Sequence, residues 1–140
     1  MVKIVKGVKL VENLEMDIVT GGFESLEVWK EARNFRRMMI SICKLIPIEE
    51  RFRLIDQIKR LSRSVTANIA EGYGRFHYLD NIKFCRDARG SLNETLDHLT
   101  AAYDEQYISK ETLTQLKSQF EKTLKLLNGY IGYLKRMKQQ

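Results

Sequence analysis

Gln57, Arg60, Ser64, Asn68 and Glu71 recur at intervals of three and four residues. Wound at 3.6 residues per turn they fall on or beside one stripe of a helix, between apolar flanks. A guanidinium, a carboxylate and two amides on one line can hold a polar ligand, grip nucleic acid, or fix the register of two helices through a polar seam. Acid–base or metal chemistry asks for more. His77 and His98 are well separated, and neither has a cysteine at zinc-ligand spacing. There is no glycine-rich phosphate loop, no Gly-x-Ser-x-Gly elbow, and no carboxylate pair beside a histidine. Some helical-bundle ribonucleases place a histidine a few residues after an arginine. Here Arg75 and His77 are too close, and Arg89 and His98 too far apart. The chain is therefore expected to be non-enzymatic, with no catalytic residue, no metal ligand and no cofactor.

The elements that must position this stripe are helices. A chain of 140 residues with a single proline and 44% hydrophobic residues makes one domain of long helices with a core of its own. Residues 1–22 alternate apolar and polar in part and close on Thr20-Gly21-Gly22, which predicts a flexible or extended N-terminal arm. Residues 23–140 predict an all-α, up-down-up-down antiparallel four-helix bundle. Ser25 is the expected N-cap of the first helix, whose apolar stripe includes Leu26, Trp29, Phe35, Met39 and Ile42 and which Pro47 ends. Trp29 on that stripe reads as core before it reads as a stacking platform.

The second helix is expected to follow Pro47, with Glu49 and Glu50 in its first turn, and to bury Phe52, Ile55, Ile58, Val65 and Ile69. Gly72 would be its C′ glycine. The third spans about Phe76–Glu105, with Tyr103 among its core positions. Ser109 caps the fourth, whose apolar residues from Leu113 to Leu134 form a near-heptad seam. Gly129 and Gly132 in that helix signal close contact with another helix or a fraying end. Cys43 and Cys85 lie among apolar neighbours and read as buried, reduced thiols.

If helices two and three reverse at Gly74, Gln57 lies near Ser91 and Arg60 near Asp87. Gly90 would then admit a close backbone approach. Arg60 with Asp87 or Glu94 forms a partly buried ion pair in this reading, and Gln57, Ser64, Asn68, Glu71 and Ser91 complete the seam. A small-ligand site in the same seam is a further option.

The net charge is +6, and the excess gathers in the last helix, where seven cations face only Glu111 and Glu121. Arg33, Arg36 and Arg37 line the polar side of the first helix. With Arg75, Lys117, Lys122, Lys125, Lys135 and Arg136 they are the candidate contacts for nucleic acid or an acidic partner. The alternative is a solvated face carrying lysines for solubility. No apolar run is long enough to span a membrane. Lysines interrupt the apolar pairs at the start, so no signal peptide is expected and the location is read as cytoplasmic.

The string Gln57-x-x-Arg60-x-x-x-Ser64-x-x-Ala67-Asn68-Ile69-Ala70-Glu71-Gly72 is followed by Arg75, Phe84, Ala88, Gly90-Ser91-Leu92 and Glu94. Together they resemble the four-helix-bundle family encoded in intervening sequences of bacterial 23S ribosomal RNA. That fold family includes the accessory variability determinant of diversity-generating retroelements. The resemblance runs from Leu26 to about Ile108, with Thr66 standing where the family often has proline. It implies a small cytoplasmic bundle without catalytic activity, a homo-oligomer often assembled as a pentamer. In the retroelement branch it implies RNA and a reverse transcriptase as partners. Two functions stay open on these grounds: an RNA-associated accessory factor acting through a basic surface, or a structural, protein-interaction module that binds no nucleic acid.

Overall fold

A computed structural model describes the backbone of residues 2–5 and 8–11, and residues 21–139; residues 1, 6, 7, 12–20 and 140 lie outside it. Strands β1 (Val2–Val5) and β2 (Val8–Val11) pair antiparallel, with Val2 opposite Val11 and Val5 opposite Val8. Alternating valine, isoleucine and lysine suits such a ribbon. This hairpin lies within the arm expected over 1–22.

Four helices follow: α1 (Glu27–Ile42), α2 (Leu54–Tyr73), α3 (Tyr78–Asp104) and α4 (Lys110–Lys138). Each packs on the next, and α4 closes back onto α1. That is the up-down-up-down bundle of the sequence reading. Phe35, Met38, Met39 and Ile42 of α1, Ile58 and Ile69 of α2, Leu92 and Leu99 of α3, and Leu116, Leu127 and Leu134 of α4 are fully buried and form one core. Trp29 joins it, edge-on to Phe23 with ring centroids 5.1 Å apart.

Helix ends depart from expectation where short 3₁₀ turns intervene. Ser25 does not cap α1: it lies in a 3₁₀ turn, Gly22–Ser25, and its Oγ donates to the Gly22 carbonyl at 2.7 Å. Leu26 takes the cap position without a side-chain bond. Nor does α2 start at Pro47. A 3₁₀ turn, Ile48–Glu50, comes first, and α2 begins only at Leu54. A 3₁₀ turn steps three residues rather than 3.6, so the apolar stripe does not carry through it. Phe52, expected in the core, is thrown out to 80% exposure. Tyr103 is also exposed, one residue before α3 ends. Ser109 caps α4 as expected, its Oγ accepting the Thr112 N–H at 3.1 Å.

The close approach expected at Gly90 is made instead by Gly72. Gly72 is not a C′ residue but a buried position inside α2. A Cβ there would stand 2.6 Å from Asn81 Oδ1 and 3.1 Å from both the Asn81 carbonyl oxygen and Phe84 Cβ. Gly90 has nothing within 4 Å of its missing Cβ, and neither has Gly129. Asn81, held against Gly72, donates from Nδ2 to the Tyr130 hydroxyl of α4 at 3.1 Å, and Cys85 Sγ donates to its Oδ1 at 3.5 Å. This one contact thus gathers three helices.

It also resets the register. With Gly72 against Asn81, Ser64 meets Ser91, where a reversal at Gly74 would have put it opposite Phe84, about two turns away. The two hydroxyls share a hydrogen bond of 2.9 Å. Asn68 Nδ2 donates to the Ser64 carbonyl at 2.9 Å and to Ser64 Oγ at 3.0 Å. Thr95 Oγ1 donates to the Ser91 carbonyl at 2.8 Å. The seam therefore exists, but it is short and neutral. The expected ion pair across it does not form. Arg60 is 61% exposed and pairs with Asp56 on its own helix at 3.0 Å. Glu71 pairs likewise with Arg75 at 2.8 Å and Asp87 with Lys83 at 3.0 Å. Glu94 is exposed and Gln57 half-buried. The register shift carries Arg60 beyond reach of Asp87.

Gly72→Ala should lower the unfolding free energy by about 1–3 kcal/mol, since backbone cannot yield to the methyl. Gly90→Ala, with open space, should raise it by up to about 1 kcal/mol. In the same denaturant melts Arg60→Ala should change stability by less than about 1 kcal/mol, and Asn68→Ala should cost about 1–2 kcal/mol by removing its two bonds to the Ser64 carbonyl and hydroxyl. Burial pushes the thiols of Cys43 and Cys85 up to about 11. Both should resist a disulfide reagent until the chain unfolds. Their contribution to stability is complete below the unfolded thiol's pKa of about 8.5. It is lost as pH rises through about 11, so the alkaline limb of a stability profile should fall across that window.

Candidate nucleic-acid interface

The cations singled out by sequence do not form one surface. Arg33, Arg36 and Arg37 are half-buried along α1 rather than splayed on its outer side. Arg36 reaches α2, where its Nη1 donates to Thr66 Oγ1 at 2.7 Å, and Thr66 Oγ1 donates in turn to the Arg63 carbonyl at 3.1 Å. Burial lowers the Arg36 pKa, and the neighbouring guanidiniums of Arg33, Arg37 and Arg63 lower it further. Four arginines thus converge across the α1–α2 groove. Arg33 additionally lies over the Trp29 ring, 5.5 Å from its centroid. Arg63 is the member that sequence reasoning missed. Its signal was present: it sits one turn before Thr66, on the face of α2 that meets α1.

On α4, Lys117, Lys125, Lys135 and Arg136 are exposed. Lys122 is partly engaged, 3.3 Å from the Glu31 carboxylate of α1. That carboxylate also accepts from Gln119 Nε2 at 3.0 Å and Asn34 Nδ2 at 3.3 Å. Glu31 therefore neutralises the α1–α4 junction and divides the α1 arginines from the outward lysines of α4. Arg75 stands at the α2–α3 turn, bound to Glu71 and 5.1 Å over the Phe84 ring.

Two hollows adjoin these helices. One, of about 660 Å³ on the α1–α2 side, has an isoleucine floor (Ile40, Ile46, Ile55) under the exposed Ile48 and Phe52. The other, of about 280 Å³, lies at the α2–α3 turn beside the end of α4 and is lined mostly by aromatic rings. His77 stands at the rim of the second, immediately before α3, whereas His98 is half-buried far along the same helix. Among the described residues no three or more His, Cys, Asp and Glu side chains come together. No described helix is long and apolar enough to cross a membrane.

A comparison with curated proteins finds no match to the chain. Comparison with protein families matches residues 24–129 to the model of the 23S rRNA-intervening sequence protein. That span takes in α1, α2, α3 and two thirds of α4, including the Gly72–Asn81 contact and the Ser64–Ser91 seam. The chain belongs to the 23S rRNA-intervening sequence protein family.

Proposed function

We propose that this chain is a non-enzymatic, oligomeric accessory protein of the cytoplasm that associates with RNA through the arginines of the α1–α2 groove. The observation that carries the reading is the placement of Arg33, Arg36, Arg37 and Arg63 about the α1–α2 groove, where Arg36 Nη1 reaches Thr66 of α2 at 2.7 Å and burial first, then the three neighbouring guanidiniums, lower its pKa. Guanidiniums present flat, bidentate donors suited to phosphate oxygens. The exposed cations of α4 extend the attraction over a second side of the bundle. Phosphate contacts position without reading sequence, so recognition would favour RNA shape over RNA sequence. A homo-oligomer, five subunits by family resemblance, would repeat the cluster around a ring, and a reverse transcriptase is a partner consistent with one branch of that resemblance.

A second reading has its own support. The apolar hollow under Ile48 and Phe52 is the kind of exposed patch that meets another protein. It favours a protein-interaction module with no role for nucleic acid.

Gel retardation of a structured RNA between about 50 and 200 mM salt separates the two. The RNA reading expects affinity to fall linearly on a log–log plot, with a slope near −0.7 to −0.9 per phosphate contacted. Arg63→Gln and Arg37→Gln should each weaken binding and flatten that slope by about 1. Absence of any complex at the lowest salt leaves the protein-interaction reading in place.

A further inference from the structure

We infer that the pocket at the α2–α3 turn is a stacking site for an unpaired base of single-stranded RNA. Tyr73, Phe76 and Tyr78 ride on the turn between α2 and α3, while Tyr130 and Tyr133 come from the last turns of α4. Phe76 is 100% exposed and Tyr73, Tyr78 and Tyr133 are each more than 40% exposed. A wholly exposed phenylalanine at the lip of an aromatic hollow presents a ring face with nothing to cover it. Tyr130 and Tyr133 already lie nearly parallel, 13° apart with centroids at 6.3 Å. Tyr133 is the more exposed ring of that pair. Tyr130 is itself held by Asn81, the residue clamped against Gly72, so the platform rests on the most constrained contact of the bundle.

Size and charge select the occupant. Small-molecule sites usually enclose about 300–1,000 Å³. At about 280 Å³ this hollow suits one planar ring system rather than a whole cofactor. Arg75, ion-paired with Glu71, stands on its wall, and Lys135, Arg136 and Lys138 fill the last turn of α4 with no acid among them. Tyrosine faces with cations beside them are the chemistry that stacks bases while attracting the backbone between them. An aliphatic peptide would need none of these charges. The inference rests on the RNA-associated reading but asks a separate question, whether bases are held as well as phosphates.

The test compares three probes: a short unstructured RNA strand, the same strand with abasic positions, and its blunt duplex. Phe76→Ala and Tyr133→Ala alter exposed rings and should leave the melting temperature within a few degrees. Each should weaken binding of the intact strand by about 5- to 150-fold, the equivalent of ~1–3 kcal/mol per stacked base. Neither should change affinity for the duplex or the abasic strand. If both variants bind the intact strand as the parent does, while Arg63→Gln still weakens all three probes, the base site is overturned and the basic surface stands. A fall in mass by light scattering for Phe76→Ala would make the hollow a contact between copies and overturn it also. A parent protein that binds no probe overturns both readings together.

Discussion

The bundle depends on the absence of one methyl group. At Gly72 the α2 backbone approaches Asn81 and Phe84 of α3 so closely that a Cβ would stand 2.6 Å from the Asn81 side chain. Glycine within a helix normally costs about 1 kcal/mol relative to alanine. Here it allows Asn81 to sit in the interface with both ends of its amide bonded, to Cys85 and to Tyr130. Fixing residue 72 against residue 81 then fixes everything above it. The chain needs residues 74–77 to cross between the helices, so the reversal is broad, and the aromatic side chains in it are pushed outward. Two turns up α2, the same register brings hydroxyl to hydroxyl at Ser64 and Ser91.

The long elements were legible because their signal is cumulative. Four apolar stripes of period 3.6, one proline and a serine cap at Ser109 each point to the same bundle, and local and global preferences agree. What failed was short-range. Ser25 and Phe52 lie beside 3₁₀ turns, whose different step moves a side chain from one face to another without leaving a compositional trace. The seam was legible as a list of residues and not as a set of partners. Ser64, Asn68 and Ser91 were placed together, yet Arg60, Glu71 and Asp87 each took a partner four residues away along the chain. For long charged side chains at a surface, a neighbour one turn along the helix is close whatever the tertiary register. A cross-helix partner is close in one register only.

The interior follows a consistent preference for neutral polar contacts. Ser62, Thr66, Asn81, Thr95, Thr112 and Thr123 are buried polar residues, and their side chains bond chiefly to carbonyls or to other neutral groups. Such groups keep helices in register without the several kcal/mol that burying an ion would cost. Glu31 is the exception that explains the charge layout. It is largely covered, and Asn34, Gln119 and Lys122 together satisfy it. With that carboxylate engaged at the α1–α4 junction, the described charged residues that act on Arg36 are Arg33 and Arg37 of its own helix and Arg63 of α2.

The arginine groove and the aromatic hollow differ in kind and are set apart by α2 itself. From Arg63 to Tyr73 the helix rises about 15 Å at 1.5 Å per residue. At the 3.4 Å spacing of stacked nucleotides that is a run of about four or five. A single strand whose phosphates met the guanidiniums would carry its bases as far as the turn within that length. A duplex could meet the arginines but would keep its bases stacked on one another, unavailable to Phe76 and Tyr133. The arrangement therefore gives the proposed function a directional character. In that proposal the groove would supply attraction for a polyanion of sufficient charge density, whereas the hollow would discriminate by whether a base is free. Specificity of that kind needs no hydrogen bonds to base edges, only a ring left uncovered at a place where the backbone is already held.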